Sequence, residues 1–143
     1  MSIRQLTVFM ENRQGALSEV AGTLASRGIN LRALSMADTK EFGVLRLIVN
    51  DAAAGLNVLR DNGYIVNVTP VTGVKISDEP GRLAAALSLL DEKKINIEYL
   101  YTLLERTEKH AYVVMRVADN DGAQTVLTGA GFELVEESDL QKL

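Results

Sequence analysis

Hydrophobic positions in the first half of the chain follow two different periods. Leu6, Val8 and Met10 alternate, which is typical of a half-buried strand. Apolar residues then recur three and four positions apart, which predicts the apolar stripe of a helix. That stripe consists of Leu17, Val20, Ala21 and Leu24. Continued along the chain, the two periods predict the order strand–helix–strand–strand–helix–strand, with strands at 31–36, 45–49 and 64–69 and a second helix at 52–61 capped by Asp51.

The second half of the chain repeats this order. The residues Gly15, Leu17, Leu24, Ile29-Asn30 and Leu34 match residues 66 positions later, and from Val49 through Gly63-Tyr64 the offset becomes 68. The two extra residues fall in a predicted hairpin, where loop entropy changes slowly with length. We therefore predict two βαββαβ units, residues 1–70 and 71–143, that meet near Pro70 without a linker and end in a frayed tail at 138–143. Each unit is expected to form a four-stranded antiparallel sheet with two helices on one face.

Composition narrows the classes of function. The chain has no cysteine and one histidine, which excludes thiolate metal sites, cysteine nucleophiles and a polyhistidine site within one chain. The absence of tryptophan, the few aromatic residues and a sequence pI of about 5.0 argue against nucleic-acid binding. The printed sequence has no pattern typical of a targeting segment and no apolar run long enough for a membrane helix, so we expect neither. We expect a cytoplasmic protein without a metal or cofactor.

The segment that joins the first strand to the first helix carries the most informative candidate chemistry. Asn12 is a natural cap or turn residue, and Gly15 allows another group to approach the backbone closely. The first-turn N–H groups of a helix favour a carboxylate or a phosphate. The purely structural alternative is that Asn12 caps the helix and Gly15 allows tight packing. At the same place in the second half, Asp78 is a good cap whose charge disfavours a carboxylate ligand and suits an ammonium group.

These motifs, in this order, resemble the ACT domain. The first match is Glu11-Asn12-Arg13-Gln14-Gly15-Ala16-Leu17 followed by Gly28-Ile29-Asn30-Leu31, and the second is Asp78-Glu79-Pro80-Gly81-Arg82-Leu83 followed by Ile95-Asn96-Ile97. Gly63-Tyr64 and Gly131-Phe132 resemble the end of the family's pattern. The matches cover about 3–69 and 71–136. The resemblance implies a stand-alone tandem ACT protein of the α+β class, with two ferredoxin-like units packed side by side and their sheets joined into one of eight strands, with the helices on one face.

What the resemblance implies for function is regulation by a small molecule, most often an amino acid, without catalysis. It implies a ligand at the junction of the two units, formed by Met10, Glu11, Asn12, Arg13, Gln14, Gly15, Ala16 and Leu17 together with Asn96 and Ile97. It also implies a second, weaker site at Asn30, Leu31, Asp78, Gly81, Arg82 and Leu83. The sequence departs from the family at Gln14, where proline is frequent, and at Asp78, where serine-sensing members have a neutral Asn. For Asn30 and Asn96, turn chemistry between helix and strand remains the alternative.

Other functions stay open at this stage. An enzyme on the same fold would need a positioned acid, base or nucleophile, and no such cluster is visible in the sequence. A scaffold or regulatory subunit that binds a metabolic enzyme is compatible with the departures at Gln14 and Asp78. RNA binding is suggested by the fold alone and lacks the basic and aromatic strand motif. A homodimer is compatible with any of these functions.

Overall fold

The computed structural model describes residues 2–38, 42–105 and 109–143, apart from the side chain of Asp38. Its elements, in chain order, are β1 (Ile3–Glu11), α1 (Ala16–Ser26), β2 (Leu31–Asp38), β3 (Phe42–Val49), α2 (Ala52–Asp61), β4 (Ile65–Ser77), α3 (Arg82–Glu92), β5 (Ile97–Thr102), β6 (His110–Val117), α4 (Asn120–Gly129), β7 (Glu133–Val135) and α5 (Glu137–Lys142). The hairpin predicted at 105–110 includes three residues, 106–108, that lie outside the described residues.

The chain forms two compact units, and each unit includes a short segment from the opposite end of the chain. The first unit consists of Arg4–Thr69 and Leu140–Leu143. The second unit consists of the N-terminal residues through Ile3 and Pro70–Asp139.

The first unit has its sheet on one side and α1 and α2 against it. β3 pairs antiparallel with both β1 and β2. The alternation predicted for β1 is confirmed, because Leu6, Val8 and Met10 are buried in the core. The helix stripe meets this surface with Val20 and Leu24, which are buried as well. The side chains of these two periods therefore form one apolar core, which is the main source of stability for such a unit.

The second unit repeats this plan. β6 lies between β4 and β5 and pairs antiparallel with both. Val113, Met115 and Val117 alternate into the core, where they meet Ala86 and Leu90 of α3. The short strand β7 pairs antiparallel with β4. These observations confirm the α+β class and the antiparallel pairing in each unit.

The described residues form seven strands, so the prediction of eight was wrong. The strands predicted on either side of Pro70 are one continuous strand, β4. Pro70 cannot donate a backbone hydrogen bond, but its φ angle suits an extended chain. Its carbonyl oxygen accepts hydrogen bonds from Nη1 of Arg116 at 2.8 Å and from Nδ2 of Asn120 at 3.2 Å. A proline that marks a turn by composition is thus accommodated inside a strand.

The prediction of a frayed C-terminal tail was also wrong. Residues Glu137–Lys142 form α5, and Leu140 is fully buried. The backbone N–H of Glu136 donates to the carboxylate of Asp139 at 2.8 Å, which closes the first turn. The carbonyl oxygen of Leu140 accepts a hydrogen bond from Nε of Arg32 at 2.8 Å. One buried leucine and these polar contacts order a segment whose sequence is otherwise polar.

Candidate functional site

The helices that follow the two candidate loops begin at glycines in the left-handed conformation. Gly15 precedes α1 with φ 85°, and Gly81 precedes α3 with φ 87°. Neither helix has a side-chain cap, so the capping role expected of Asp78 and the capping alternative considered for Asn12 were wrong. A glycine reaches this backbone conformation without the steric penalty of a side chain, and a helix can then begin directly after it. The prediction for Asp51 is confirmed, because its Oδ1 accepts the backbone N–H of Ala54 at 3.1 Å.

The loop between β1 and α1 forms one wall of an open cleft in the first unit, here called the first cleft. Its volume is about 360 Å³. The lining residues are Phe9, Met10, Glu11, Arg13, Ala16, Glu19, Gly63, Tyr64 and Ile65. Four of them were predicted as ligand-binding residues. The other five come from β1, from the next turn of α1, from the turn after α2 and from the first residue of β4, and no sequence motif placed them in a site.

Three charged side chains interact in the first cleft. Nη2 of Arg13 lies 2.8 Å from Oε2 of Glu19, and Nε of Arg13 lies 3.7 Å from Oε2 of Glu11. The hydrogen bond with Glu19 and the charge of that carboxylate raise the pKa of the Arg13 guanidinium above its ordinary value. The side chain is therefore charged at every physiological pH. Two carboxylates stand against one guanidinium, so the cleft carries an excess of negative charge.

Apolar surface adjoins these charges. Phe9 is 40% exposed and Ile65 is 68% exposed, although both are large hydrophobic residues. Tyr64 lines the same cleft and follows Gly63, whose φ of 84° belongs to the turn after α2. A site that joins opposite charges to apolar walls can bind a small molecule with both charged and apolar parts.

A second cleft lies in the second unit, where α3 ends and β5 begins. Its volume is about 430 Å³, and it is lined by Leu87, Asp91, Lys94, Ile95, Asn96 and Ile97. Asn96 and Ile97 were predicted as ligand-binding residues. The structure adds a carboxylate and an ammonium group beside the Asn96 amide, so this cleft also offers charges of both signs.

Lys94 in the second cleft has an unusual backbone. Its φ is 58°, and it is the one residue other than glycine with a positive φ in the described part of the chain. Its N–H donates to the carbonyl of Asp91 at 2.9 Å, and the N–H of Ile95 donates to that of Leu90 at 2.9 Å. This pattern is the Schellman motif, which usually places glycine at this position. Neither Asn30 nor Asn96 has a positive φ, so the turn role considered for them is not what the structure shows.

The remaining predicted residues have other surroundings. Asn12, Gln14 and Gly15 lie on the loop of the first cleft without lining it. Leu17 and Leu31 line an apolar groove between α1 and the sheet, here called the leucine groove, with a volume of about 400 Å³.

The residues of the second predicted site make backbone hydrogen bonds and one contact with an aromatic ring. The N–H of Asn30 donates to Oδ1 of Asn50 at 3.0 Å, and the N–H of Asp78 donates to the carbonyl of Lys109 at 2.7 Å. The guanidinium carbon of Arg82 lies 4.4 Å from the centroid of the Phe132 ring. Leu83, next to it, is 37% exposed.

Neither a metal site nor a membrane helix is present among the described residues. No group of three or more His, Asp or Glu side chains within 2–38, 42–105 and 109–143 could hold a metal ion. Over the same ranges, no helix has the length and apolar character needed to span a membrane.

Comparison with known proteins gives a match over the full length of the chain. A family model for an ACT domain pair matches residues 1–143. The crystal structure of protein BT0572 from Bacteroides thetaiotaomicron has 39% sequence identity and a TM-score of 0.93, covering 100% of this chain and 98% of that chain. Two regulatory subunits of aspartate kinase share the fold at 18% identity. The one from Thermus thermophilus has a TM-score of 0.66 and coverages of 90% and 92%, and the one from Thermus flavus has 0.60 with 89% and 91%. None of the curated proteins matches the sequence.

Proposed function

The chain belongs to the family of ACT domain pairs, and from this premise we propose that it is a regulatory protein that binds an amino acid or a similar small metabolite without catalysis. Residues 1–70 and 71–143 would be the two ACT units of the duplicated sequence. The observation that carries the proposal is the first cleft, which combines a guanidinium, two carboxylates and apolar walls.

The charges of the first cleft match those of an amino-acid zwitterion. A guanidinium has five N–H donors, and Glu19 accepts one from Nη1 and one from Nη2 of Arg13. Nη1 also donates to the carbonyl of Gln14 at 3.4 Å, which leaves Nε and one N–H of Nη2 for the carboxylate of a ligand. Guanidinium–carboxylate hydrogen bonds are among the stronger ones in proteins. Glu11 is 77% exposed and suits the ligand's ammonium group. The ligand's side chain would then contact Phe9 or Ile65.

This proposal gives a role in ligand binding to residues that the sequence predicted. In the first unit, the predicted residues that line the first cleft would recognise the ligand, with Arg13 as the main anchor; they are Met10, Glu11, Arg13 and Ala16. The other predicted residues of this segment, Asn12, Gln14, Gly15 and Leu17, stay candidates. Asn96 and Ile97 would contribute in the second unit, where Asp91 and Lys94 supply the charges. The residues Asn30, Leu31, Asp78, Gly81, Arg82 and Leu83 stay a weaker candidate set.

Titration of ligand-stripped protein with the standard amino acids tests this function, by thermal shift first and by calorimetry for any amino acid that raises the melting temperature. A ligand at 100 times its dissociation constant adds about 2.7 kcal/mol to the free energy of unfolding. Arg13→Ala is expected to abolish the response. Arg27→Ala removes an exposed arginine outside the first cleft and is the matched control. The absence of a shift with every amino acid at millimolar concentration would contradict the proposal.

A second function, binding of a metabolic enzyme as a regulatory subunit, is favoured by the leucine groove. Leu17, Leu24, Leu31, Leu34, Leu45 and Leu47 contribute to its walls. A groove lined mainly by leucine side chains can receive an apolar side chain of another molecule. If no amino acid binds, the groove becomes the main candidate, and Leu17→Glu should then prevent co-purification with an enzyme partner while the chain stays folded.

A further inference from the structure

The two sequence repeats differ at the start of their first helices. Ala16 of α1 corresponds to Arg82 of α3 at the offset of 66, between the matching pairs Gly15–Gly81 and Leu17–Leu83. At the offset of 68, Tyr64 corresponds to Phe132. In the second unit, the guanidinium of Arg82 covers the Phe132 ring at 4.4 Å, and Phe132 is only 6% exposed. In the first unit, the short side chain of Ala16 leaves the space beside Tyr64 open as the first cleft.

The charges around these two rings differ in a matching way. Glu19, which lines the first cleft, corresponds to Ala85, and Glu11 corresponds to Ser77. The first repeat thus has carboxylates at two positions where the second repeat has neutral residues, and the reverse holds at the positions of Asn12 and Arg13, which correspond to Asp78 and Glu79. The cation of the first cleft, Arg13, is paired with Glu19 and Glu11, whereas the second repeat places its cation, Arg82, on the ring itself. The first unit offers the surroundings of a cation beside an aromatic ring, and its own helix places none at that position.

We propose that the first cleft recognises an amino acid with a cationic side chain, which would lie against Tyr64 as Arg82 lies against Phe132. This inference rests on the proposed function and adds the ligand class to it. Cations are attracted to the face of a tyrosine ring within about 6 Å of its centroid. The first cleft carries two carboxylates, Glu11 and Glu19, against one guanidinium, Arg13. This excess of negative charge favours a ligand with a net positive charge, such as arginine or lysine, over a neutral amino acid.

Calorimetric titration with paired ligands tests the class directly. L-Arginine is compared with L-citrulline, which has nearly the same shape without the charge, and L-lysine is compared with L-norleucine. One of the two cationic amino acids is expected to bind at least about tenfold more tightly than its neutral partner, in line with the upper range for a desolvated cation on an aromatic ring. Agmatine, which keeps the guanidinium and lacks the carboxylate, is expected to bind more weakly than arginine.

Variants that copy residues of the second repeat test whether the ligand's cation lies beside Tyr64. Ala16→Arg introduces the side chain that covers the ring in the second unit, and it is expected to abolish binding while the far-UV circular dichroism stays unchanged. Ala84→Arg adds the same charge at an exposed position of α3 and should leave binding unchanged. If Ala16→Arg does not fold, Tyr64→Leu is used instead, and it should remove most of the preference for arginine over citrulline. Tyr64→Phe keeps the ring and should keep the preference.

The outcomes separate this inference from the function on which it rests. Binding of a neutral amino acid as tight as that of its cationic partner, sensitive to Arg13→Ala, would leave the proposed function standing and overturn the ligand class. Agmatine that binds as tightly as arginine would overturn recognition of an amino acid and leave recognition of the cation. Absence of binding by any of these compounds overturns the ligand class, and the titration with all the standard amino acids then decides the proposed function. If the Ala16→Arg variant still binds a cationic amino acid more tightly than its neutral partner, the placement of the ligand's cation beside Tyr64 is overturned.

Discussion

Lys94 offers a test of how much backbone strain the second unit contains. It occupies the left-handed position after α3 with φ 58°, where three other helices of the chain have Gly28, Gly63 and Gly131. Gly28 is its counterpart at the offset of 66, with φ 72°. The repeats therefore contain the same turn with and without a side chain. We predict that Lys94→Gly increases the free energy of unfolding.

The magnitude follows from two opposing terms. A residue with a side chain pays about 1–2 kcal/mol for the left-handed conformation, and glycine avoids this penalty. Glycine also has more freedom in the unfolded chain, which removes about 0.5–1 kcal/mol of the gain. The Lys94 side chain is exposed, so little packing is lost. The expected net gain is about 0.5–1 kcal/mol, or a rise in melting temperature of about 1–4 °C for a chain near this size.

Urea unfolding followed by circular dichroism measures this gain as a shift of the midpoint at constant slope. Gly28→Lys is the converse control. A Cβ at Gly28 would have no heavy atom within 4 Å, so the loss expected there, about 0.5–1 kcal/mol, reports the backbone alone. If Lys94→Gly lowered stability while Gly28→Lys also lowered it, the Lys94 side chain would contribute more than the strain costs, and the reasoning would be refuted.

Three further predictions concern stability and are checked by the same unfolding experiment. Asp51→Ala removes the cap of α2 and is expected to lower the free energy of unfolding by about 1 kcal/mol. Asp51→Asn keeps a side-chain acceptor and should retain most of the stability. Equal losses in the two variants would show that the charge of Asp51 matters more than its hydrogen bond. Leu140→Ala in α5 should lower the free energy of unfolding by about 2–5 kcal/mol, because the side chain is fully buried. Leu104→Ala, at an exposed leucine, should change it by less than about 0.5 kcal/mol. A similarly small effect of both variants would mean that α5 contributes nothing to stability. Gly73→Ala should cost about 1–3 kcal/mol because the new Cβ would lie 2.9 Å from Cβ of Val135 in β7, and an unchanged midpoint would mean that β7 shifts freely.

Most of the regular structure could be predicted because it follows periods that the sequence displays directly. The helices α1 to α4 and the strands that alternate, such as β1 and β6, are of this kind. The continuous strand β4 could not be predicted in the same way, since Pro70 marks a break by its chemistry and the carbonyl contacts from Arg116 and Asn120 come from residues about 46–50 positions away. The helix α5 depends on the burial of Leu140, which one leucine in a polar segment does not indicate.

The candidate site could be predicted only as far as its loop. The repeat located Met10–Leu17, but Tyr64 reaches the first cleft from the far end of the unit, and its neighbourhood depends on tertiary packing. Glu19 lies one helical turn beyond the loop, and its partnership with Arg13 is decided by side-chain direction. Lys94 was not predicted either, although its alignment with Gly28 at the offset of 66 is a sequence signal that could have indicated the turn.

The exchange of chain ends between the two units limits how the duplicated protein can be divided. A cut between Thr69 and Pro70 separates the two sequence repeats, but each fragment would leave with the other the short segment that completes its own unit. The fragment that ends at Thr69 would lack Leu140 and expose the surface that this leucine covers. Neither fragment is then a self-sufficient folding module, whereas the two mixed together hold every segment that both units need. Separate expression of the two fragments should therefore not recover the folded units, whereas mixing the fragments should recover both.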